Sequence, residues 1–293
     1  MKLSKTSFLR NCISGWNVRT ALLPCLDNHT LKKTDNVTQV NQTNEYMWIF
    51  KSSIGRKFIM SISGLFLIIF LLLHGSINLL AVYDAINVNS EFPTDLYNQA
   101  CHFMGTNILV QIMVPILALG FIVHIIYAAW LTLLNRKARG NDRYAIFTRA
   151  KIDWASKNMF VLGVIVLGVL VFHLTHFWSK MQLQEWTGGQ SAEGYQLVVQ
   201  TFSNVWVSIL YLVWLVAIWF HLTHGFWSAF QTLGWNNKKW FNRLHVISYI
   251  VATLLVLIFA VVVVYFGFIY SGPESLVEAV PYAGSPVATL PII

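Results

Sequence analysis

Nine histidines occur in this 293-residue chain. Six of them, His74, His124, His173, His176, His221 and His224, lie in stretches that are otherwise apolar. An ionisable side chain at membrane depth costs free energy and by default marks a functional site. A neutral imidazole carries one lone-pair nitrogen and is the commonest metal ligand among the side chains. Two imidazoles facing each other at one level can bind the two faces of a single haem iron, with the flat ring held between packed helices. The competing use of a lone histidine is a hydrogen bond to a neighbouring helix. Four successive apolar stretches, each with one His or a His-x-x-His pair, argue against that use.

The elements that must position these residues follow from composition. The chain is 56% hydrophobic and 15% aromatic, and its 11% charged residues compare with about 25% in an average soluble domain. So few charges cannot cover a soluble surface, so the composition indicates a membrane protein. Five stretches, approximately 58–82, 107–134, 158–179, 205–232 and 246–271, each exceed the ~20 residues needed to span a bilayer and contain no Asp, Glu, Lys or Arg. Backbone in hydrocarbon must satisfy its own hydrogen bonds, which makes these stretches helices and the fold class all-α.

Charge in the connections orients the bundle. Lys51, Arg56 and Lys57 precede the first helix; Arg136, Lys137, Arg139, Arg143, Arg149, Lys151 and Lys157 join the second to the third; Lys238, Lys239 and Arg243 join the fourth to the fifth. The opposite side has Lys180 with Asp84, Glu91, Asp95, Glu185, Glu193, Glu274 and Glu278. The positive-inside rule predicts a cytoplasmic N-terminus and an outer C-terminus. A net charge of +8 confined to helix ends does not point to nucleic acid.

Orientation turns sequence position into depth. His74 and His173, on outward-running helices, are expected ~22–25 Å above the cytoplasmic boundary. His124 and His221, on inward-running helices, are expected ~15–17 Å above it. The two levels are then ~7–10 Å apart, each with two imidazoles. His176 and His224 follow at i+3 on roughly the same faces, as alternate ligands or as hydrogen-bond partners of a haem propionate. Depth favours His173 slightly over His176 and does not separate His221 from His224. Gly120, Gly168 and Gly225 lie near the histidines, where a porphyrin needs side chains removed, although glycine also eases membrane-helix packing. His245 reads as interfacial and His102 as a loop residue.

The remaining segments carry less information. Residues 1–46 are polar, and the first 26 contain Lys2, Lys5, Arg10 and Arg19 without an acid. A leader, a disordered tail, and a start preceding the true one at Met47 are the readings of that segment. Residues 47–271 form the membrane domain and 272–293 a short outer tail. Cys12, Cys25 and Cys101 have neither disulfide nor zinc spacing.

The residues resemble one known family, the fused dihaem cytochrome b membrane anchor of succinate dehydrogenase and fumarate reductase. Ser52-Ser53-Ile54-Gly55-Arg56-Lys57, followed by Ser63-Gly64-Leu65-Phe66-Leu67 and His74, is similar to the family's opening. Phe121-Ile122-Val123-His124-Ile125-Ile126-Tyr127 and Val171-Phe172-His173-Leu174 are similar to its second and third helices. Phe220-His221-Leu222-Thr223-His224-Gly225-Phe226-Trp227-Ser228 is the most specific match, with the family ligand at His221. The likeness covers about 47–271, and the four ligands are 50, 49 and 48 residues apart. Quinol–cytochrome c reductase cytochromes instead put two ligands, about four turns apart, on each of two helices.

The resemblance implies an outer haem b on His74 and His173 and an inner haem b on His124 and His221. It implies an inner (cytoplasmic) membrane location in a respiratory chain. A flavoprotein subunit with FAD and an iron–sulfur subunit would dock on the basic face, with a quinone, plausibly menaquinone, as electron acceptor. Succinate would be oxidised on another subunit. Glu91 and Asp95 are the candidate acids of an outer quinone site. The fourth helix has Trp219 and Phe220 before His221 and no acid, so a proton route there is not implied. Two rival readings are a transporter with a histidine proton relay, which calls for intramembrane acids and a repeat, and a haem-free structural anchor.

Overall fold

The computed structural model describes residues 52–87, 95–139, 154–235 and 237–271. The tail at 1–46, Glu91 and residues 272–293 lie outside the described residues. The chain forms two units, Met1–Gly55 and Arg56–Ile293, and nearly all described residues belong to the second.

Every regular element among the described residues is helical. The elements are α1 Ser53–Asn87, α2 Leu96–Thr106, α3 Ile108–Arg139, α4 Trp154–Lys157, α5 Met159–His176, α6 Gln182–Thr187, α7 Gly194–Ser203, α8 Val205–Thr232 and α9 Lys238–Val264, which continues as a π-turn over Tyr265–Ile269. Five of them, α1, α3, α5, α8 and α9 with its π-turn, are long and apolar enough to cross a membrane. The outward faces fit a hydrocarbon solvent. On α3, Ile112, Ile116, Leu119, Ile122 and Ile126 form an exposed stripe at helical spacing, which water would disfavour and lipid tails accept. The protein is therefore a multi-pass membrane protein.

Helix ends differ from those expected because hydropathy delimits only the part of a helix inside hydrocarbon. α1 extends past 58–82 at both ends, and its Arg56 guanidinium lies 5.3 Å from the centre of the Trp130 ring. α9 begins at Lys238 rather than 246 because the Asn237 side chain accepts the Trp240 N–H at 2.8 Å and caps the helix. α8 starts in the same way, with the Asn204 side chain accepting the Trp206 N–H. α5 stops at His176, where the Phe177 N–H returns to the His173 carbonyl and the chain turns. Pro115 is accommodated within α3.

α8 packs along α9 over the greatest extent, and next along α5. Small residues permit this: Ser208, Ala217, Ser248 and Ala252 are buried, and a Cβ on Gly267 would lie 2.5 Å from the Ser208 hydroxyl. Gly75 does the same for α1, since a Cβ there would come within 2.9 Å of Ile258 on α9.

The connections are more ordered than polarity suggests. Asp84, a loop charge by sequence position, is a buried residue of α1 and accepts the Tyr97 N–H at 2.7 Å. Its carboxylate thereby caps α2 from another helix and faces the positive end of the α2 dipole. The Tyr97 hydroxyl donates to Asn78 at 3.3 Å, and the Asn78 amide donates to the His74 carbonyl at 2.7 Å. Replacing Asp84 with Ala is expected to destabilise the protein by about 1–3 kcal/mol, the cost of stranding a buried donor. Thermal unfolding in detergent measures this, with a smaller loss for Asp84→Asn, which retains an acceptor oxygen.

Candidate functional site

Four spanning helices bring four of the six intramembrane histidines into two pairs. His74 of α1 faces His173 of α5, with ring centroids 5.9 Å apart and planes at 84°. His124 of α3 faces His221 of α8, at 6.3 Å and 61°. The two pairings join odd with odd and even with even spanning helices, as the depth estimate expects.

Each pair has its own walls. The His74 ring stacks on Phe70 at 5.3 Å and 15° and meets Phe259 of α9 at 5.7 Å. His173 is surrounded by Phe177 at 5.1 Å, Trp214 at 5.8 Å and Tyr211 at 6.1 Å. Glycines flank the other pair. A Cβ on Gly64 would lie 3.3 Å from His124 Cε1, and one on Gly163 would lie 3.7 Å from His221 Cε1. These two glycines escaped the sequence reading because they lie on helices other than those of the histidines they face. Of those singled out by sequence, Gly120 packs against Phe66, a Cβ on Gly225 would lie 3.5 Å from Met159, and a Cβ on Gly168 would meet nothing within 4 Å.

Gly64 with His74, Gly163 with His173, and Tyr211 with His221 are each ten residues apart on one helix, with one member at each pair. Ten residues rise ~15 Å, more than the ~7–10 Å expected between levels.

His176 and His224 stand apart from the facing pairs. The His176 Nδ1 lies 2.9 Å from the Phe172 carbonyl, and its ring packs on Phe172 at 4.0 Å. His224 lies against Trp227, which also meets His245. Asp95 is exposed immediately before α2 and makes no side-chain cap.

The donor set fits one metal ion per pair. Imidazole–metal bonds are ~2 Å, so two nitrogens sharing an ion are ~4 Å apart, with ring centroids a ring radius further out on each side. The measured centroid separations of 5.9 and 6.3 Å match that arrangement. The Nδ1 atoms of His173 and His221 are buried without a hydrogen-bond partner, as are the Tyr211 hydroxyl and the Trp227 Nε1. Among the described residues no group of three or more His, Cys, Asp and Glu forms a metal site, so the pairs are two-ligand arrangements. Comparison with models of protein families, with curated proteins and with solved structures finds no match.

Beside Asp84 and Tyr97 lies a second polar group. Tyr195 donates its hydroxyl to Tyr270 at 3.3 Å and takes Asn98 as acceptor for its N–H at 3.0 Å. Burial raises the Tyr97 and Tyr195 phenols, keeping both protonated, with Cys101 adding to the first and Tyr270 to the second. Burial also pushes the Cys101 thiol up to about 11; Asp95 and Glu185 add to this, and its hydrogen bond with Tyr97 opposes it. The thiolate is the reactive form, so alkylation of Cys101 is expected to be ~100-fold slower at pH 7–8 than for a model thiol, rising until about pH 11. Peptide mapping after timed maleimide labelling checks this.

Proposed function

We propose that this chain is the membrane-anchor cytochrome b subunit of a succinate:quinone oxidoreductase, carrying two haems b. The observation that carries the reading is the pairing of four intramembrane imidazoles at separations that suit one iron each. The resemblance of the sequence to the dihaem anchor family supplies the enzyme class. His74 and His173 hold one haem, and His124 and His221 hold the other. When bound, a haem held by two imidazoles would supply a one-electron redox centre, which suits electron transfer rather than oxygen chemistry.

The protein's own residues set the conditions for that chemistry. Phe70, Phe259, Trp214 and Tyr211 enclose the His74–His173 pair in apolar surface and keep water from the imidazoles. Phe259 belongs to α9, which contributes a wall and no imidazole to either pair. Gly64 and Gly163 keep the space beside His124 and His221 free of side chains. Trp214 anchors α8 to α5 by donating to the Val166 carbonyl at 3.2 Å, which fixes the wall of one pair on the helix that bears His221 of the other.

In this reading the N-terminus and the basic connections face the cytoplasm, where a flavoprotein subunit with FAD and an iron–sulfur subunit dock. His124 with His221 and His74 with His173 would hold the redox centres between those subunits and a membrane quinone, menaquinone in the dihaem pattern, which would accept the electrons. The membrane is the inner (cytoplasmic) one. Of the two candidate acids for the quinone site, Asp95 is solvent-exposed. The buried Asp84, with the Tyr97 and Tyr195 phenols, is a better candidate, since hydroxyls can donate to quinone carbonyls and a carboxyl group can relay the protons that a quinone takes up on reduction.

Purified full-length protein is expected to carry two low-spin b haems, read by haem extraction and reduced-minus-oxidised spectra. His124→Ala and His74→Ala are each expected to lose one haem and retain the other. Folded wild-type protein without haem, or His124→Ala with both haems, overturns this function.

A further inference from the structure

A hydroxyl on α1 touches the ring of His124 and bears on which of its nitrogens carries the proton. Ser63 is buried, at 8% exposure, in a helix segment that faces the bundle. Its Oγ lies 3.0 Å from the Met60 carbonyl and 3.3 Å from His124 Nδ1. A serine hydroxyl has one proton to donate and lone pairs to accept with. The carbonyl can only accept, and the shorter contact goes to it, in the local bond that helical serines commonly make to a preceding turn. Oγ therefore meets the imidazole as an acceptor, which requires the proton to be on His124 Nδ1. Nε2 then keeps its lone pair.

Gly64 permits this contact. It follows Ser63, and a Cβ there would approach His124 Cε1 to 3.3 Å and Nδ1 to 3.6 Å, so the Nδ1 edge of the ring is seated against the Ser63-Gly64 backbone. His221, the other member of the pair, has no such partner at its buried Nδ1. The two imidazoles of one pair thus have different surroundings: one has a polar partner at Nδ1 on a neighbouring helix and the other has none.

We propose that Ser63 is a positioning residue for His124: it accepts the Nδ1 proton, fixes the ring, and leaves Nε2 as the nitrogen that binds iron. The iron-binding part of this statement rests on the two-haem reading above; the tautomer does not. Partners of this kind orient metal-ligating histidines and raise their basicity, and removing one typically costs 10–100-fold in metal affinity or activity. Loss of the acceptor also makes the imidazole a weaker electron donor, which favours the reduced iron.

The test has two arms on the full-length chain in detergent or lipid. In the first, haem-free protein labelled with nitrogen-15 at histidine is studied by solid-state NMR, with His124 assigned by comparison with His124→Gln. The expected result is a protonated Nδ1 and an unprotonated Nε2 at His124 in the wild type, replaced by a tautomer mixture in Ser63→Ala and restored in Ser63→Thr. A protonated Nε2 in the wild type, or a spectrum unchanged in Ser63→Ala, overturns the proposal. In the second, haem-loaded Ser63→Ala is expected to bind one of its two haems at least ~10-fold more weakly, with that haem's midpoint potential raised and the other's unchanged. Ser63→Thr should restore both. Equal changes at both haems, or none at either, overturn the positioning role. Absence of haem in the wild type overturns the two-haem reading and leaves the tautomer to be decided by the first arm alone.

Discussion

Inside a hydrocarbon slab there is no solvent to complete a hydrogen bond, so each polar side-chain atom depends on a partner within the protein. Most of the intramembrane polar groups meet this demand locally. Trp214 donates to the Val166 carbonyl, Trp219 donates to Thr253, Thr223 returns to Phe220, and His176 lies against the Phe172 carbonyl. The Nδ1 atoms of His173 and His221 do not. Both belong to facing imidazole pairs, and the Tyr211 hydroxyl beside His173 is likewise buried without a partner.

Packing follows the same division. The small side chains Ser208, Ala217, Ser248 and Ala252 draw α8 against its neighbours, and Gly75 does so for α1 and α9. Around the pairs the spacing is set by rings, with Phe70, Phe177, Tyr211, Trp214 and Phe259 about 5–6 Å from His74 or His173. α3 is the outlier: no residue in its most apolar stretch is fully buried, although it carries His124. Its attachments near that residue include the ring itself, which meets Ser63 on α1 and His221 on α8, together with Gly120 against Phe66 and Phe121 against Phe70 of α1.

Much of this was legible in the sequence, for identifiable reasons. Apolar runs without charge give spanning helices because length and hydropathy are properties of a single segment. The partnership of His74 with His173, and of His124 with His221, follows from axial depth, which counts residues along one helix at a time. Helix ends were less accessible: Asn237 sets the start of α9 by capping geometry rather than hydropathy, although the expected bounds 205–232 coincide with those of α8. Properties that depend on two helices at once were not legible. Gly64 and Gly163 look like any other membrane-helix glycines until the rings opposite them are known. Asp84 looks like a loop charge until Tyr97 is seen to donate to its carboxylate.

The ten-residue interval shared by α1, α5 and α8 has a consequence for how such a chain can change over time. Each of these helices carries an imidazole of one pair and, ten positions away, a residue that lies beside the other pair. Inserting or deleting one residue within that interval turns the distal part of the helix by ~100° and slides it by ~1.5 Å. An imidazole or its wall would then face lipid while the other pair stayed intact. Exchange of one apolar side chain for another leaves the interval untouched. The bundle is thus tolerant of drift in spelling and intolerant of drift in length, and variation in length belongs in the connections between its spanning helices.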